Sequence, residues 1–386
     1  TDPLYGTLGT PENRYCDMVN NEGNWEYTCT AAVLYTPAPG ITATTDSFTF
    51  HVNDTHQDSA SATMSLELYT PKTLHVNAND DIPDETGCTE DHCNLREAVY
   101  DALSGDAIDF SLDLPNTITL IDISITIDKD LVINGPGADQ LAISGGADNG
   151  EEGFEEHGRV FTIGDSWYGI PANVTMSGLT IKDGRDDDGG GVKIYHGSTL
   201  TINDSVIGPN NIVTYAGGGI FNEGGTLTLN GCTVTENEGT GSLGGAGVTT
   251  VGSEAITTII NSTISGNITN NYGGGIYVAH DGLVKLIHTT VSGNISNADY
   301  DKEGEARGGG AGIYVGENGQ VELQNSIVAG NTDLTEPSEA GHEKWPDIYG
   351  PVTSLGGNLI GDQGGTSTTW AESDQVGTAA SPLDPM

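Results

Sequence analysis

The sequence predicts an all-β protein built around a right-handed parallel β-helix with three short strands per coil. Three observations lead to this prediction: glycine clusters recur, short apolar strands follow each cluster, and each unit closes at an asparagine. The closing residues recur every 27 to 37 positions, which is the range that marks stacked repeats. They are Asn210, Asn237, Asn267, Asn294 and Asn331.

The columns of the aligned repeats predict which side chains point into the core. Small or apolar side chains occupy the positions three, five, eight and ten residues before each closing asparagine. Because side chains alternate along a strand, the first two positions share one face and the last two share another. A third strand follows each glycine cluster, at Ile220, Val248, Ile276 and Ile313. A turn must separate the first two strands, at Asp204, Gly231, Asn261, His288 and Asn325.

Stacking of these coils predicts an asparagine ladder. Short strands become stable when coils stack about 4.8 Å apart, because each strand then pairs with its equivalents in both neighbouring coils. The five closing asparagines would meet at one corner, where their side chains can form a ladder of hydrogen bonds.

One segment carries the helical signals that the rest of the chain lacks. Residues 94–104 begin with Asn94 as the N-cap and place Glu97 three residues later, which is the capping-box pattern. Apolar residues Leu95, Ala98 and Val99 follow at helical spacing. A β-helix needs a cap over its open end, and we predict that this helix provides it.

The same segment resembles a known family. The stretch C-x4-C-N-L-R-E-A-V and the later stretches GDAIDF, LVINGPGADQLAISGG and RVFTI resemble the bacterial and archaeal surface-protein family named for its Cys-Ser-Leu-Arg-Glu-Ala motif, with Asn94 in place of the serine. The resemblance covers about residues 75–386 and implies a secreted parallel β-helix without a defined reaction. It also implies further parts beyond Met386, since the coils of the family commonly continue there.

Residues 1–74 differ from the repeats, and we predict a separate small β-sandwich there. Their pattern Y-T-P…D-S-F-T-F-x-V-x-D resembles the cadherin-like or immunoglobulin-like modules of bacterial surface proteins. Only the later strands of such a module are evident. Either the module is incomplete or a neighbouring chain supplies the missing strands.

Charge excludes several function classes. The 386 residues carry 12 Lys+Arg against 55 Asp+Glu, a formal net charge of -43. This charge repels nucleic acid and anionic membranes and favours cations as partners. No stretch approaches the ~18–20 apolar residues of a spanning helix, so no direct membrane insertion is expected. The chain starts at Thr1 without a signal peptide, which indicates a processed or partial chain.

Four of the five cysteines predict two local disulfides in an oxidising compartment. Cys16 and Cys29 flank a predicted hairpin, and Cys88 and Cys93 flank a tight loop before the helix. A metal site is the alternative for these four, although their spacing does not match zinc sites. Cys232 falls in a small inward-facing column, which predicts a buried free thiol.

Two acidic loops are candidate calcium sites, because clustered oxygen ligands on a short loop suit Ca²⁺. The alternative is that both loops are merely solvated, since neither matches the EF-hand or the nonapeptide calcium repeat. The candidate ligands are Asp80, Asp81, Asp84 and Glu85 in the first loop and Asp186, Asp187 and Asp188 in the second.

Several Asn-x-Ser/Thr sequons are candidate glycosylation sites if the source organism glycosylates asparagine. Sequons that begin at ladder residues are poor acceptors, because their amides would be bonded internally. The predicted sites are Asn53, Asn173, Asn203 and Asn261.

Together these features predict a non-enzymatic, extracellular structural or adhesive surface protein that associates head to tail or by strand complementation. One alternative is a carbohydrate-active enzyme, either a hydrolase or a lyase with Lys182, Arg185 and Lys193 beside the second acidic loop. Another alternative is a glycan-binding adhesin, which needs exposed aromatic side chains. The candidates for stacking on sugars are Trp167, Tyr168, Tyr195, Tyr215, Tyr272, Tyr277 and Tyr314.

Overall fold

The structure is a computed structural model of the chain. It describes residues 2–10, 12–21, 24–38, 45–51, 59–82, 87–121, 124–146, 158–165, 167–241, 244–298, 309–335 and 344–384, and between residues 12 and 32 it describes only the backbone. The chain divides into two compact units, Thr1–Lys72 and Thr73–Met386.

The first unit has six described strands: β1 Gly6–Leu8, β2 Glu12–Asn21, β3 Asn24–Ala32, β4 Tyr35–Pro37, β5 Thr45–Phe50 and β6 Ala62–Glu67. They pair as three two-stranded antiparallel sheets, β1 with β4, β2 with β3 and β5 with β6. The backbone register sets Cys16 opposite Cys29. Their side chains, and with them the predicted disulfide, lie outside the described residues. The β-sandwich stays a prediction, because these pairs do not show two packed layers.

One buried carboxylate organises the first unit. Asp46 lies in the D-S-F-T-F stretch and accepts hydrogen bonds at 2.8–2.9 Å from the N–H groups of Leu4, Tyr5 and Ser47 and from the Tyr35 hydroxyl. Burial raises the pKa of Asp46, but these hydrogen bonds outweigh burial and hold the pKa below its ordinary value. The ionised carboxylate therefore ties the segment before β1, and strand β4, to β5.

The second unit is a parallel β-helix, as predicted. Its described helix is α1, Leu95–Asp101. Its strands, in chain order, are β7 Thr73–Val76, β8 Asp106–Phe110, β9 Asn116–Thr119, β10 Ile125–Ile127, β11 Leu131–Asn134, β12 Leu141–Ser144, β13 Phe161–Ile163, β14 Asn173–Ser177, β15 Thr180–Lys182, β16 Arg185–Asp188, β17 Val192–Ile194, β18 Thr199–Asn203, β19 Val206–Ile207, β20 Ile212–Ala216, β21 Ile220–Glu223, β22 Thr226–Asn230, β23 Thr233–Thr235, β24 Glu238–Gly239, β25 Val248–Val251, β26 Ile256–Ile260, β27 Thr263–Ser265, β28 Ile268–Thr269, β29 Ile276–Ala279, β30 Leu283–Ile287, β31 Thr290–Ser292, β32 Ile295–Ser296, β33 Ile313–Val315, β34 Gln320–Gln324, β35 Ile327–Val328, β36 Thr332–Asp333, β37 Ile348–Tyr349, β38 Thr353–Ser354, β39 Leu359–Ile360 and β40 Gln375–Val376.

These strands stack into four parallel sheets. The first sheet joins β10, β13, β17, β21, β25, β29, β33 and β37, and the second joins β7, β8, β11, β14, β18, β22, β26, β30, β34 and β38. The third joins β9, β12, β15, β19, β23, β27, β31, β35, β39 and β40, and the fourth joins β16, β20, β24, β28, β32 and β36. From β13 to β36 the chain visits the four sheets in turn, so each coil pairs with the coils before and after it.

The inner faces of the first three sheets form the core, and the predicted inward columns are confirmed. Ile202, Val234 and Ile276, one from each predicted strand, are fully buried. The predicted turn between the second and third sheets is also confirmed, because its residues take left-handed backbone angles. The φ values lie between 47° and 66° at Asp204, Gly231, Asn261, His288 and Asn325.

The fourth sheet adds a strand to the three predicted per coil. Its strands are out-and-back excursions that leave the coil after the third sheet and return at the glycine cluster. In one coil, a Cβ atom built on Gly218 after the excursion would lie 3.0 Å from the carbonyl oxygen of Asn211 before it. The core of a coil is thus three-sided, and the fourth sheet is a flange along one corner. The flange comprises residues 185–189, 212–217, 238–241, 244–245, 268–273, 295–298 and 332–335.

A ladder of buried asparagines runs along the corner where the flange begins. At each step the Nδ2 of one asparagine donates to the Oδ1 of the next, over 2.8 Å from Asn237 to Asn267, 2.9 Å from Asn267 to Asn294 and 2.9 Å from Asn294 to Asn331. Nδ2 also donates to a backbone carbonyl, as from Asn294 to Ile264. These buried amides are therefore satisfied, which a core position requires.

The first step of the ladder differs from the prediction. Asn211, rather than Asn210, donates to Asn237 at 2.9 Å, while Asn210 is exposed and its Nδ2 bonds to Asp183. The reason is that this coil has one residue more than the others between its inward-facing residue, Ile207, and its ladder position. The extra residue moves the buried position to the second asparagine of the pair.

Asp347 ends the ladder with a carboxylate. Its Oδ1 accepts from Nδ2 and from the N–H of Asn331 at 2.8 and 3.1 Å, and its Oδ2 accepts from the N–H of Asp362 at 2.8 Å. Because every ladder amide donates in the same direction, the last one needs an acceptor, and a carboxylate supplies it without adding another buried donor. Burial raises the pKa of Asp347, and the hydrogen bonds from Asn331 oppose this rise without cancelling it.

The last glycine of each cluster lies against the ladder. A Cβ atom built on this glycine would lie 2.7–3.1 Å from the Nδ2 of a ladder asparagine, at Gly219, Gly247, Gly275 and Gly312. The preceding position tolerates a side chain, since it is alanine at Ala246 and Ala311. Glycine and asparagine therefore recur together because a side chain at the last glycine would displace the ladder.

A second column of small polar side chains lies at the turn between the second and third sheets. Ser262 Oγ accepts from the N–H of Cys232 at 3.0 Å and donates to the carbonyl of Ile260 at 2.7 Å. Ser205 and Ser326 make contacts of the same kind. Cys232 is a buried free thiol, as predicted, and burial raises its pKa to about 11.

Helix α1 contacts β7 and β10 at the front of the β-helix and is shorter than predicted. Asn94 Oδ1 accepts from the N–H of Glu97 at 2.9 Å, and Glu97 Oε2 accepts from the N–H of Asn94 at 3.0 Å, which confirms the capping box. Leu95, Ala98 and Val99 are buried. The helix therefore covers apolar side chains that the first coil would otherwise expose.

Substitution Asn267→Ala is expected to lower the free energy of unfolding by about 3 kcal/mol. It leaves two buried donors of Asn237 without an acceptor, and each unpaired buried group costs ~1–3 kcal/mol. Denaturant unfolding followed by circular dichroism measures the change. Asn210→Gly is the matched control, because it removes an exposed amide and tolerates the left-handed φ of 63°; we expect a change below about 0.5 kcal/mol. Equal losses in both variants would contradict the ladder.

Candidate functional site

The space between the flange and the first sheet holds the candidate site. One column of the first sheet faces outward, yet Lys193, Phe221 and Tyr277 in it are only 7%, 3% and 8% exposed. The flange covers them, since Ala216 of the flange packs with Phe221 and Tyr277. We name this column the seam. Its members, paired in register, are Thr162, Lys193, Phe221, Thr249, Tyr277, Tyr314 and Tyr349.

A cluster of paired charges lies at the front of the seam. Lys193 Nζ is 2.8 Å from Oδ2 of Asp188 in the flange and 3.2 Å from Oε2 of Glu223 in the first sheet. An Arg159 nitrogen is 3.1 Å from Asp186 and 3.0 Å from Asp188. Each of the three carboxylates thus has a basic side chain of the protein as its partner.

Lys193 is held in its charged form. Burial lowers its pKa, but the hydrogen bond and charge of Asp188, together with the charge of Glu223, outweigh burial and raise the pKa above its ordinary value. The base of a lyase must accept a proton, and a protonated lysine has no site for one. Of the other predicted lyase residues, Lys182 lies 3.3 Å from Asp183 and Arg185 begins β16.

The far end of the seam is a stack of aromatic rings. The ring centres of Tyr277 and Tyr314 are 5.5 Å apart, and those of Tyr314 and Tyr349 are 4.7 Å apart. Tyr272 of the flange stacks on Tyr314 at 4.5 Å, and Trp345 packs on Tyr349 at 4.6 Å. Because the rings cover one another, they join the flange to the first sheet rather than offer open faces to a sugar.

The first predicted calcium loop contacts the helix cap. Asp81 accepts from two nitrogens of Arg96 at 2.8 Å each. Asp80 accepts from Asn94 Nδ2 at 3.3 Å and lies 3.1 Å from His92 Nε2. Burial raises the pKa of Asp80, but the hydrogen bonds of this carboxylate, the one with His92 first among them, lower it below its ordinary value. Both described carboxylates of this loop therefore stabilise the cap.

The remaining calcium candidates divide in two. Asp84 and Glu85 lie outside the described residues. In the second loop, Asp187 accepts from the Thr214 hydroxyl at 2.6 Å, between the two paired aspartates. Within the described ranges there is no group of three or more His, Cys, Asp or Glu side chains that could hold a metal ion. Calcium binding stays a prediction.

The predicted glycosylation sites differ in access. Asn261 is exposed at the turn between the second and third sheets. Asn203 accepts from a neighbouring asparagine at 3.5 Å, and Asn173 donates to an aspartate of the preceding coil at 3.0 Å. Asn53 lies outside the described residues. Asn261 is the best acceptor of the three that are described, and its use stays a prediction.

Cys88 and Cys93 form the predicted disulfide just before α1. A disulfide of this kind fits an oxidising environment. In the part of the chain that the structure describes, no helix has the length and apolar character needed to cross a membrane.

Sequence reasoning missed three residues of these networks: Arg159, Glu223 and Asp347. Lys193 and Glu223 are outward positions on β17 and β21, two adjacent strands of the first sheet. Each of these strands follows a glycine cluster, so an alignment of the repeats on those clusters would have shown that the two side chains are neighbours. Arg159 and Asp347 follow the polar sequence segments 147–158 and 332–346, whose lengths hide the register of the chain.

Comparisons with protein-family models, with curated proteins and with solved structures find no match to this chain. The resemblance to the surface-protein family therefore stays a prediction that rests on the motif around Asn94.

The stacked tyrosines are expected to ionise only at high pH. Burial raises the pKa of Tyr277 to about 12 and also raises that of Tyr314, whereas an unfolded tyrosine titrates near ~10. Since the unfolded chain loses these protons first, stability should fall as the pH rises above ~10. Tyrosinate absorbance of the folded protein should show a late component at about pH 12 and above, and Tyr277→Phe should reduce its amplitude by one tyrosine.

The matched control for this titration is Tyr100→Phe, because Tyr100 is 82% exposed on α1. We expect it to leave the late component in place. An equal reduction of the late amplitude in both variants, or no reduction in either, would contradict a buried Tyr277.

Proposed function

We propose that this chain is a non-catalytic structural and adhesive protein of the cell exterior, in which the β-helix serves as a stiff stalk. The asparagine ladder carries the proposal, because buried amides from Asn211 to Asn331 pass hydrogen bonds in one direction to Asp347. This ladder is wholly internal, so it supports stability rather than ligand binding. Each coil is also restrained by both neighbours, which resists local opening.

Two further features support a place outside the cell. The disulfide between Cys88 and Cys93 is of the kind that persists in oxidising compartments. The net charge of -43 keeps a protein soluble and attracts cations.

The charged end of the seam supports the choice of a non-catalytic role. Asp186, Asp188 and Glu223 each lie within 3.2 Å of a basic side chain, and Lys193 is held protonated. A lyase needs a base that is free of its proton, and a glycoside hydrolase needs a pair of carboxyl groups of which one keeps its proton. Paired carboxylates beside a charged lysine suit neither reaction.

We further propose that subunits associate head to tail through bridging divalent cations. Subunits of the same charge repel one another, so association requires that cations neutralise the carboxylates between them. We expect electron microscopy to show ordered filaments in calcium that dissolve on chelation. Sodium chloride at the same ionic strength is the control, because it screens charge without bridging. Discrete monomers in all three conditions would contradict the assembly.

Incubation with a panel of neutral and acidic polysaccharides is expected to release no new reducing ends and no unsaturated products. Lys193→Met is the diagnostic variant, because it removes the only lysine of the charged cluster among the described residues. Turnover by the native chain that disappears in Lys193→Met would establish catalysis at the seam and would overturn the non-catalytic role.

A further inference from the structure

Two adjacent aromatic side chains stand almost fully exposed on one turn. Trp167 is 86% exposed and Tyr168 is 75% exposed. The rings of the seam cover one another, but these two have open faces. Large aromatic groups that remain uncovered are typical of positions that meet a partner.

The turn that carries them is rigid. Asp165 and Ile170 exchange two backbone hydrogen bonds at 2.8 and 3.0 Å. The Oδ1 of Asp165 also accepts from the N–H groups of Trp167 and Tyr168 at 2.7 and 3.2 Å. Gly169 takes the left-handed angle, with φ at 63°, that closes the turn. A turn that is already closed by hydrogen bonds loses little backbone freedom when a ligand binds.

This turn is an extension that the coil itself does not require. Nine residues, 164–172, separate β13 from β14, whereas four residues, 195–198, make the same connection between β17 and β18. Both connections join the first sheet to the second. An extended corner that presents aromatic rings to solvent points to recognition, since binding residues concentrate on loops that a rigid scaffold positions.

A hydrogen-bonding group lies on the coil that precedes the turn. The register pairs Ile127, Ile163 and Ile194, the last first-sheet residues of three successive coils. Asp128 follows the first of them, and its side chain is 44% exposed. His196 follows the third after one residue, but its ring lies against Gly224 of the next coil, where a Cβ atom would overlap its Nδ1. Aromatic faces with a carboxylate on the adjacent coil suit a ligand that has apolar faces and a rim of hydroxyl groups.

We propose that the aromatic turn, Asp165 with residues 167–170, binds a neutral saccharide, with Trp167 and Tyr168 stacked on the C–H faces of its pyranose rings. Asp128 supplies a hydrogen-bond acceptor for the ring hydroxyls. The net charge of -43 disfavours acidic polysaccharides and anionic membranes as the partner. This inference rests on the proposed structural and adhesive function and names its ligand class.

The test is calorimetric titration of the full chain with cellohexaose and mannohexaose, two soluble neutral oligosaccharides. We expect binding of at least one of them, and we expect Trp167→Ala to weaken it at least tenfold, or about 1.4 kcal/mol. Tyr168→Ala should also weaken binding. Tyr100→Ala is the matched control, because that ring is 82% exposed on α1, and its affinity should equal that of the native chain. The unfolding midpoint of Trp167→Ala should stay unchanged, since an exposed ring contributes little to stability.

Three outcomes would overturn the saccharide site. One is that the native chain binds neither sugar, and another is that Trp167→Ala binds as tightly as the native chain. The third is that the native chain binds neutral phosphatidylcholine vesicles but no sugar, with the vesicle binding lost in Trp167→Ala.

Electron microscopy of the native chain in calcium, together with the sugar titration, separates this inference from the proposed function. If the native chain assembles but binds no sugar, the stalk proposal stands and the saccharide site is wrong. If the chain binds sugar through Trp167 but does not assemble, the saccharide site stands and head-to-tail assembly is wrong.

Discussion

Burial of an amide in each of the five coils from Asn211 to Asn331 is the constraint on which this part of the β-helix depends. An asparagine inside the core must find partners for three groups, and Asn267 finds them in the amides above and below it and in a backbone carbonyl. That solution requires equivalent amides in the neighbouring coils, so an asparagine must recur at the same position of each successive coil. It also requires a glycine opposite, as at Gly247, and an acceptor at the end, as at Asp347. The recurring glycine and asparagine therefore reflect the need to hydrogen-bond buried polar groups, just as the apolar columns reflect the need to fill the core.

The flange shows how the same coil accepts variation. Its excursions start beside the ladder and return at the glycine cluster, so their length does not disturb the core. They are held to the first sheet by different chemistry in different coils: Lys193 pairs with Asp188 in an early coil, and Tyr314 stacks on Tyr272 in a later one. A buried ion pair stabilises only when good geometry offsets desolvation. The contacts of 2.8 and 3.2 Å around Lys193 meet that requirement.

Rigidity and recognition are thus separated in this fold. The core columns, the ladder and the serine column at the turn vary little in residue type and spacing from coil to coil. The corners, in contrast, tolerate added residues. The connection between β13 and β14 uses that freedom to present Trp167 and Tyr168 to solvent, and Asp165 fixes it. A stiff stalk with a rigid aromatic turn combines stability with a surface for adhesion, and neither feature needs a catalytic group.

The sequence alone determined the cross-section of the coil: the inward columns, the turn at Asp204 and its equivalents, the capping box of α1 and the Cys88–Cys93 pair. These features depend on local periodicity and short spacings, which a single chain displays directly. Only the tertiary structure decided that Asn211 enters the ladder, that Asp347 ends it and that Glu223 faces Lys193. Those contacts join residues whose separation depends on an added residue, on insertions or on stacking between coils. One extra residue exchanges the buried and exposed faces of a strand, so its effect is visible only once the coils are stacked.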